Sequence, residues 1–525
     1  MDRILSLPRR GRVAAAGAVA LALAIHTSAH SQELGSIAFP TSGAPAAQAA
    51  FLEGVKALHS FEFDSAAVAF QRAQKSDPGF AMAYWGEAMS HNHPLWAQQD
   101  ADAAKKILEK IAPTLKDRLA TVKLPKEKAF LGAIDVLYYA PGDASSSPSA
   151  GKLARDIAYS DAMAAMYSMW PDDHEVATWY ALSLLGTVRP ADKGFRRQAL
   201  AASIAEKVFK ENPKHPGAAH FIIHAFDDPD HAPLALPAAR VYAGIAPSAA
   251  HALHMPSHIF VQRGMWNDAR ASNIVAYKAA VDLNTKMKLA EGREDLHTLG
   301  WLQYANLMLG NIDEAKANIE SAKQAADRNP ANAGIHNGYL NMRARLILET
   351  EKWEKDLLGA QGAQGAQSAG VHAGMPGMAM PSSNTWVFIA GYSAAKLGDL
   401  PAAERAVEML RAARGKLDKA NPNATGPISI MEKQIAALVS SANGRKDEAL
   451  TLAKDAMEIE LSLSPPSGPP DPIKPAAEFY GELLLDAGRT AEAVAALELS
   501  LQRTPNRTPS LKAMAKARGA GTSMP

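Results

Sequence analysis

The chain has 525 residues, with 55 Lys and Arg against 54 Asp and Glu, a formal charge of +1, 16 His, 19 Met and no Cys. That excludes a disulfide framework, a thiol nucleophile and thiolate metal sites, and the near-zero charge excludes a general nucleic-acid binder. An apolar fraction of 47% excludes a disordered chain, and the length calls for several domains or an extended array.

In chain order, Arg3, Arg9, Arg10 and Arg12 precede an apolar run from Val13 to Ile25, followed by Ala29-His30-Ser31-Gln32. A basic head, a short apolar stretch and a small-residue cleavage site spell a secretory signal over residues 1–31. The run is too short to span a bilayer comfortably, although an uncleaved anchor is the other reading. No later stretch has membrane-spanning length. The mature chain is therefore expected to be exported, periplasmic or secreted, with no membrane association. Residues 32–48 read as a linker.

The body repeats. Ala66, Phe70, Ala73 and Pro78 set a frame that recurs at Ala493, Leu497, Ser500 and Pro505. It recurs with substitutions at Ala315, Ile319, Ala322 and Asn329-Pro330. A Gly stands upstream of the first Ala in Gly264/Ala269, Gly310/Ala315, Gly398/Ala403, Gly444/Ala449 and Gly488/Ala493. Gly ends a first helix, Ala lets the second helix approach it closely, and Pro breaks the chain before the next hairpin. First helices are expected near 51–58, 81–92, 174–185, 217–226, 250–263, 296–309, 335–350, 384–397, 428–441 and 474–487. Residues 98–170 have a helical pattern but fit the frame poorly. Ala144–Ser149 is a Ser/Pro-rich loop, and 359–383 is a Gly/Ala/Met-rich insertion expected to be flexible. Residues 509–525 read as a disordered tail.

These hairpins resemble the tetratricopeptide repeat (TPR) family, whose unit is about 34 residues long. The resemblance covers most of the chain from Ala49 to Asn506. It implies an all-α, right-handed superhelical solenoid, with repeats over 49–358 and 384–508 and a concave groove for a protein or peptide ligand. A solenoid of this length has two ends that need caps.

Seven histidines lie between 215 and 258: His215, His220, His224, His231, His251, His254 and His258. His220 and His224 share a helix face, as do His251, His254 and His258. An HxxxH pair on a helix supplies two imidazoles to one metal ion. In the TPR family, first-helix positions 2, 5, 9, 12 and 13 commonly line the groove. That frame places His220 at 5, His224 at 9, and Asp227 and Asp228 at 12 and 13. It places His251 at 2, His254 at 5 and His258 at 9, and His297 at 2 of the next repeat. Adjacent repeats then aim His220, His224, His251, His254, His258 and His297 into one groove, with Asp227 adding an oxygen or holding a ligand ring in its tautomer. Pro256 falls inside the helix carrying three of them and is expected to kink or break it.

Other constellations are weaker. His91, Asn92 and His93, near Trp85, Trp96 and Asp100, end a first helix. Glu478 and Glu482 read as a solvated acidic face. His372, Met375, Met378 and Met380 in the insertion are soft ligands that suit copper. Phosphate loops, G-x-S-x-G and HExxH are missing from the sequence, so no nucleotide or organic cofactor is indicated.

Two functions remain. One is a metal site of copper, zinc or iron in the groove, for metal handling or metal-dependent chemistry. In an enzymatic version, Asp228 or His231 is the nearest acid–base group. The other is a protein- or peptide-binding scaffold with no metal and no catalysis. The sequence does not decide between enzyme and binder.

Overall fold

A computed structural model describes residues 33–139, 148–189, 192, 194–288, 295–358, 383–417 and 421–519. The signal over 1–31, most of the Ser/Pro loop and the insertion up to residue 382 lie outside the described residues. Pro148 and Ser149 already belong to helix Pro148–Met169, and Ser383 opens helix Ser383–Lys396.

The punctuation expected from the sequence is present in the backbone. Gly264, Gly310, Gly398, Gly444 and Gly488 all adopt positive φ, between 61° and 81°. The residue after each Gly donates its N–H five residues back, as in Asn311 to Asn306 O at 2.8 Å and Arg489 to Leu484 O at 2.9 Å. Such a bond closes the last helical turn and reverses the chain. Across each reversal, Ala269, Ala315, Ala403, Ala449 and Ala493 are buried in the helix contact. The product is a series of helix hairpins, each helix packed on its sequence neighbours. Among the described residues the only sheet is a two-residue pair, Asn92–His93 against Gln98–Gln99. The chain is thus an all-α solenoid of TPR-like hairpins. No described helix is long and apolar enough to cross a membrane.

Three features depart from the sequence reading. The expected linker is a packed strap. Ser36 N–H bonds Lys214 O at 2.9 Å, Asn212 Nδ2 donates to Ser36 O at 2.8 Å, and Phe39 is buried against Phe51 and Phe130. The expected disordered tail begins as helix Thr508–Ala517, which packs on the two helices before it. The acidic face of Glu478 and Glu482 is not a solvated one. Lys474 Nζ donates to Glu478 at 2.8 Å and Glu482 at 2.7 Å, and Arg507 joins Glu478 to Glu349 through contacts of 2.8 Å each. Burial alone would raise the Glu478 carboxyl, but Arg507 and Lys474 hold it down at about 2.

Arg507 also closes the solenoid on itself. Its guanidinium reaches Tyr304 Oη at 3.3 Å, Trp266 Nε1 donates to the carbonyl of Asn506 at 2.8 Å, and Thr508 Oγ1 donates to Met308 O at 2.6 Å. The Pro-rich segment 463–475 follows the same route: Gln262 Nε2 donates to Pro466 O at 2.8 Å and Arg345 to Pro470 O at 3.1 Å. Gly468 lies flat on the Trp301 indole, where a Cβ would come within 2.4 Å of Cζ2.

Removing one partner from a buried charge network leaves the other charges uncompensated, at about 3–5 kcal/mol. Arg507→Ala is therefore expected to lower the urea midpoint and to expose amides of 463–475 to hydrogen exchange. Unchanged exchange in that segment would contradict the closure.

Candidate metal centre

Helix starts set by prolines and carboxylates place the histidines. Pro216 opens helix Pro216–Ala225, with His215 at the N-cap accepting Ala218 N–H through Nδ1 at 3.2 Å. His220 and His224 then share the inner face of that helix. Pro256 does interrupt the first helix of the next hairpin, giving Ala250–His254 and Pro256–Gln262 as separate helices. Met255 between them keeps helical angles (φ −54°, ψ −34°), so His251, His254 and His258 remain on one path. Half-buried carboxylates start two helices: Glu62 accepts His251 N–H at 3.1 Å, and Asp295 accepts Thr298 N–H at 2.9 Å at the head of Leu296–Leu309.

The six imidazoles gather as two triads rather than one shared set. His220, His224 and His251 form the first, and His254, His258 and His297 the second, with the ligand atoms of each within 4.8 Å of one another. In the first, His251 Nε2 lies 3.2 Å from His220 Nε2. In the second, His254 Nε2 lies 3.1 Å from His258 Nε2 and 2.9 Å from His297 Nε2. Each triad takes positions 5 and 9 of one first helix and position 2 of the next. The second triad is the first moved along by one repeat. The facing rings of His224 and His258 are 6.2 Å apart, and those of His251 and His254 are 6.4 Å apart.

Three of the outer ring nitrogens are engaged. His220 Nδ1 reaches His59 O at 2.6 Å, His258 Nδ1 reaches Asp227 Oδ2 at 2.6 Å, and His254 Nδ1 reaches Asn273 Oδ1 at 2.6 Å. Asn273 has its Nδ2 engaged by Ala269 O at 2.8 Å, so its oxygen faces the histidine. Each partner is an acceptor, so each Nδ1 carries the proton, and a neutral ring then turns a bare lone pair inward. Burial first, and then the neighbouring imidazoles, push His220, His224, His251 and His297 well below the usual histidine range. His254 is lowered to about 3 by burial and His258. His254 Nε2 thus has one lone pair facing two other Nε2 atoms. A single proton satisfies one of these approaches and leaves the other as lone pair against lone pair. A cation at their meeting point satisfies all three. Tetrahedral edges of about 3.3 Å follow from metal–nitrogen bonds of about 2.0–2.1 Å, close to the spacing found.

Aromatic rings wall the triads. Phe61 lies 4.4 Å from His220 and 5.4 Å from His251, with Tyr242 stacked 5.1 Å from His220. Trp301 lies 4.3 Å from His258, 5.1 Å from His254 and 5.4 Å from His297. Burial raises the Glu62 carboxyl to about 7 against the bonds from the His251 and Ala250 amides, and it raises Asp295 as well.

Sequence reasoning missed a third group. His59 Nε2 and His215 Nε2 meet the two oxygens of Glu175 at 2.9 and 3.2 Å, all three side chains being buried. Burial would raise Glu175, but His59 and His215 hold it at about 2. The chain separations of 116 and 40 residues left no local signal. Asp228 bonds His231 at 2.8 Å, and His231 stacks on Phe195 at 3.7 Å, so this pair holds a turn and is not among the triad atoms. His93 stacks on Phe63 at 4.0 Å, and Trp96 borders His251 at 6.2 Å. His372, Met375, Met378 and Met380 lie outside the described residues.

No protein-family model and no curated protein matches the chain. Solved structures similar to it include yeast Tom70, at 12% identity over 90% of this chain and 95% of that one, with a TM-score of 0.35. The TPR domain of P58(IPK) is 12% identical over 90% and 98%, with a TM-score of 0.24. The Cut9–Hcn1 hetero-tetramer of the APC/C is 12% identical over 92% and 78%, with a TM-score of 0.34.

The depressed histidines dictate a pH response. An unfolded His accepts a proton near 6.5, whereas folded His254 waits until about 3. Stability from that group is complete above 6.5 and lost as pH falls, by about 2 kcal/mol between 6.5 and 5. Glu62 acts oppositely, costing stability as pH rises from 4.5 to about 7, but five lowered histidines oppose it. Metal-free protein is expected to melt at lower temperature at pH 5 than at pH 7, and His254→Gln to flatten that dependence. A melting temperature that rises on acidification would refute the neutral-imidazole assignment.

Proposed function

We propose that this solenoid binds two copper ions, one in each imidazole triad, as an exported protein for copper handling or copper-dependent chemistry. The observation that carries the reading is His254 Nε2, whose single lone pair faces both His258 Nε2 at 3.1 Å and His297 Nε2 at 2.9 Å. Imidazole suits copper, zinc, iron and nickel alike, and charge narrows the choice. At about the spacing of the facing rings, roughly 6 Å, two dications repel by about 11 kcal/mol at an effective dielectric constant of about 20. Two monocations repel by about 3 kcal/mol. Both triads are imidazole alone. Neutral nitrogen ligands favour the cuprous state.

A protein- or peptide-binding scaffold is the second reading, favoured by the hairpin architecture. The segment 463–475 lies over the Trp301 side of the triads, so a peptide has to use another part of the surface.

Untagged protein reconstituted with copper is expected to hold two equivalents per chain, and His220→Ala with His224→Ala to hold one. Asp227 orients a ligand of the second triad only, so Asp227→Asn is expected to weaken one site by about 10–100-fold and leave the other unchanged. Elemental analysis and chelator competition read both effects. Less than about a tenth of an equivalent of any transition metal after reconstitution would sink the metal reading and leave the scaffold.

A further inference from the structure

We propose that dioxygen is the ligand the paired triads take once each holds a cuprous ion. The inference rests on the copper reading above. Three imidazoles fill three of four tetrahedral positions and leave one open at each ion. The facing rings of the two triads lie 6.2 and 6.4 Å apart, so the triads are direct neighbours, and a molecule joining the two open positions would lie between them. Asp227, the carboxylate bonded to the His258 ring, holds the outer nitrogen of that ring and does not serve as the joining anion.

The walls limit what arrives. Phe61 and Trp96 on one side and Trp301 on the other present ring carbon to the histidines. The segment 463–475, held by Gln262 and Arg345, covers the outer face of Trp301. Such an aromatic lining offers little with which to recognise a polar organic molecule. It suits a small neutral molecule that becomes an anion only on reaching the metal. Dioxygen meets both demands, and its electron count closes within the site. Each cuprous ion gives up one electron and becomes cupric. Dioxygen accepts the two electrons, its O–O bond falls from double to single, and two copper–oxygen bonds form. No proton moves and no further reductant enters this step.

The test loads the full chain with cuprous ion under argon, confirms two bound ions with a cuprous chelator, and then admits dioxygen. The expected result is uptake of one dioxygen per two copper ions, with most of the copper silent in electron paramagnetic resonance because the two cupric spins couple through the shared ligand. A cupric signal that accounts for all the copper, or no uptake while both ions stay bound, overturns the proposal. Failure to bind copper at all overturns the copper reading and this proposal with it, and is seen before dioxygen is added. His297→Gln, at a helix start and only half-buried, is expected to hold one ion and to lose paired uptake. The same uptake ratio from a chain holding one ion would also overturn the proposal.

Discussion

Everything at the centre depends on how closely neighbouring hairpins approach. Alanine at the hairpin contact and glycine at the reversal let helices pack with little between them, and the repeat then carries each side-chain position to its equivalent one step along. Because His220 and His224 are repeated as His254 and His258, the approach that builds one triad builds the second. Position 2 of the following helix completes each in turn, through His251 and His297. The imidazole set is a product of translation along the array. It needs no loop to be folded into a special shape, which places the imidazoles on rigid helices.

That economy comes with an electrostatic cost that the surroundings absorb. Imidazoles packed this closely repel one another when protonated, and burial pushes His220, His224, His251, His254 and His297 toward the neutral form. The partners that keep their outer protons in place differ between the triads. A backbone carbonyl serves His220, whereas an amide and a carboxylate serve His254 and His258. A carboxylate partner makes its imidazole a stronger donor, so the repeat generates two similar sites and the residues outside the frame make them unequal. The His59–Glu175–His215 group beneath them is linked to the first triad through the His59 carbonyl, and it anchors the helix that begins at Pro216.

Much of this was legible from the sequence because it is local. Gly, Ala and Pro act within a few residues, and the five glycines adopt the backbone angles their positions called for. The histidine spacings are likewise properties of one helix plus the repeat step. What was not legible depends on residues brought together over long chain distances. Glu175 and His59 are 116 residues apart, and Arg507 meets Glu349 across 158. Glu478 and Glu482 were misread as a solvated face because Arg507 lies beyond the helix that carries them. The i,i+4 partner Lys474 was within reach of local reasoning and pointed the other way. The strap 33–44 has no periodicity to read, since an extended segment filling a cleft obeys the shape of its walls.

The contacts of Arg507, Asn506 and segment 463–475 with the middle hairpins have one further consequence. An open solenoid is nearly one-dimensional: each unit answers only to its neighbours. Here Gln262 is bonded across 204 residues and Trp266 across 240, which turns an array into a loop closed by side chains. Such a chain gains cooperativity and raises its contact order, so its last hairpins are tied to the integrity of the middle and its folding waits on the slow meeting of distant parts. Closing the loop converts a modular scaffold into one thermodynamic unit with the histidines at its seam.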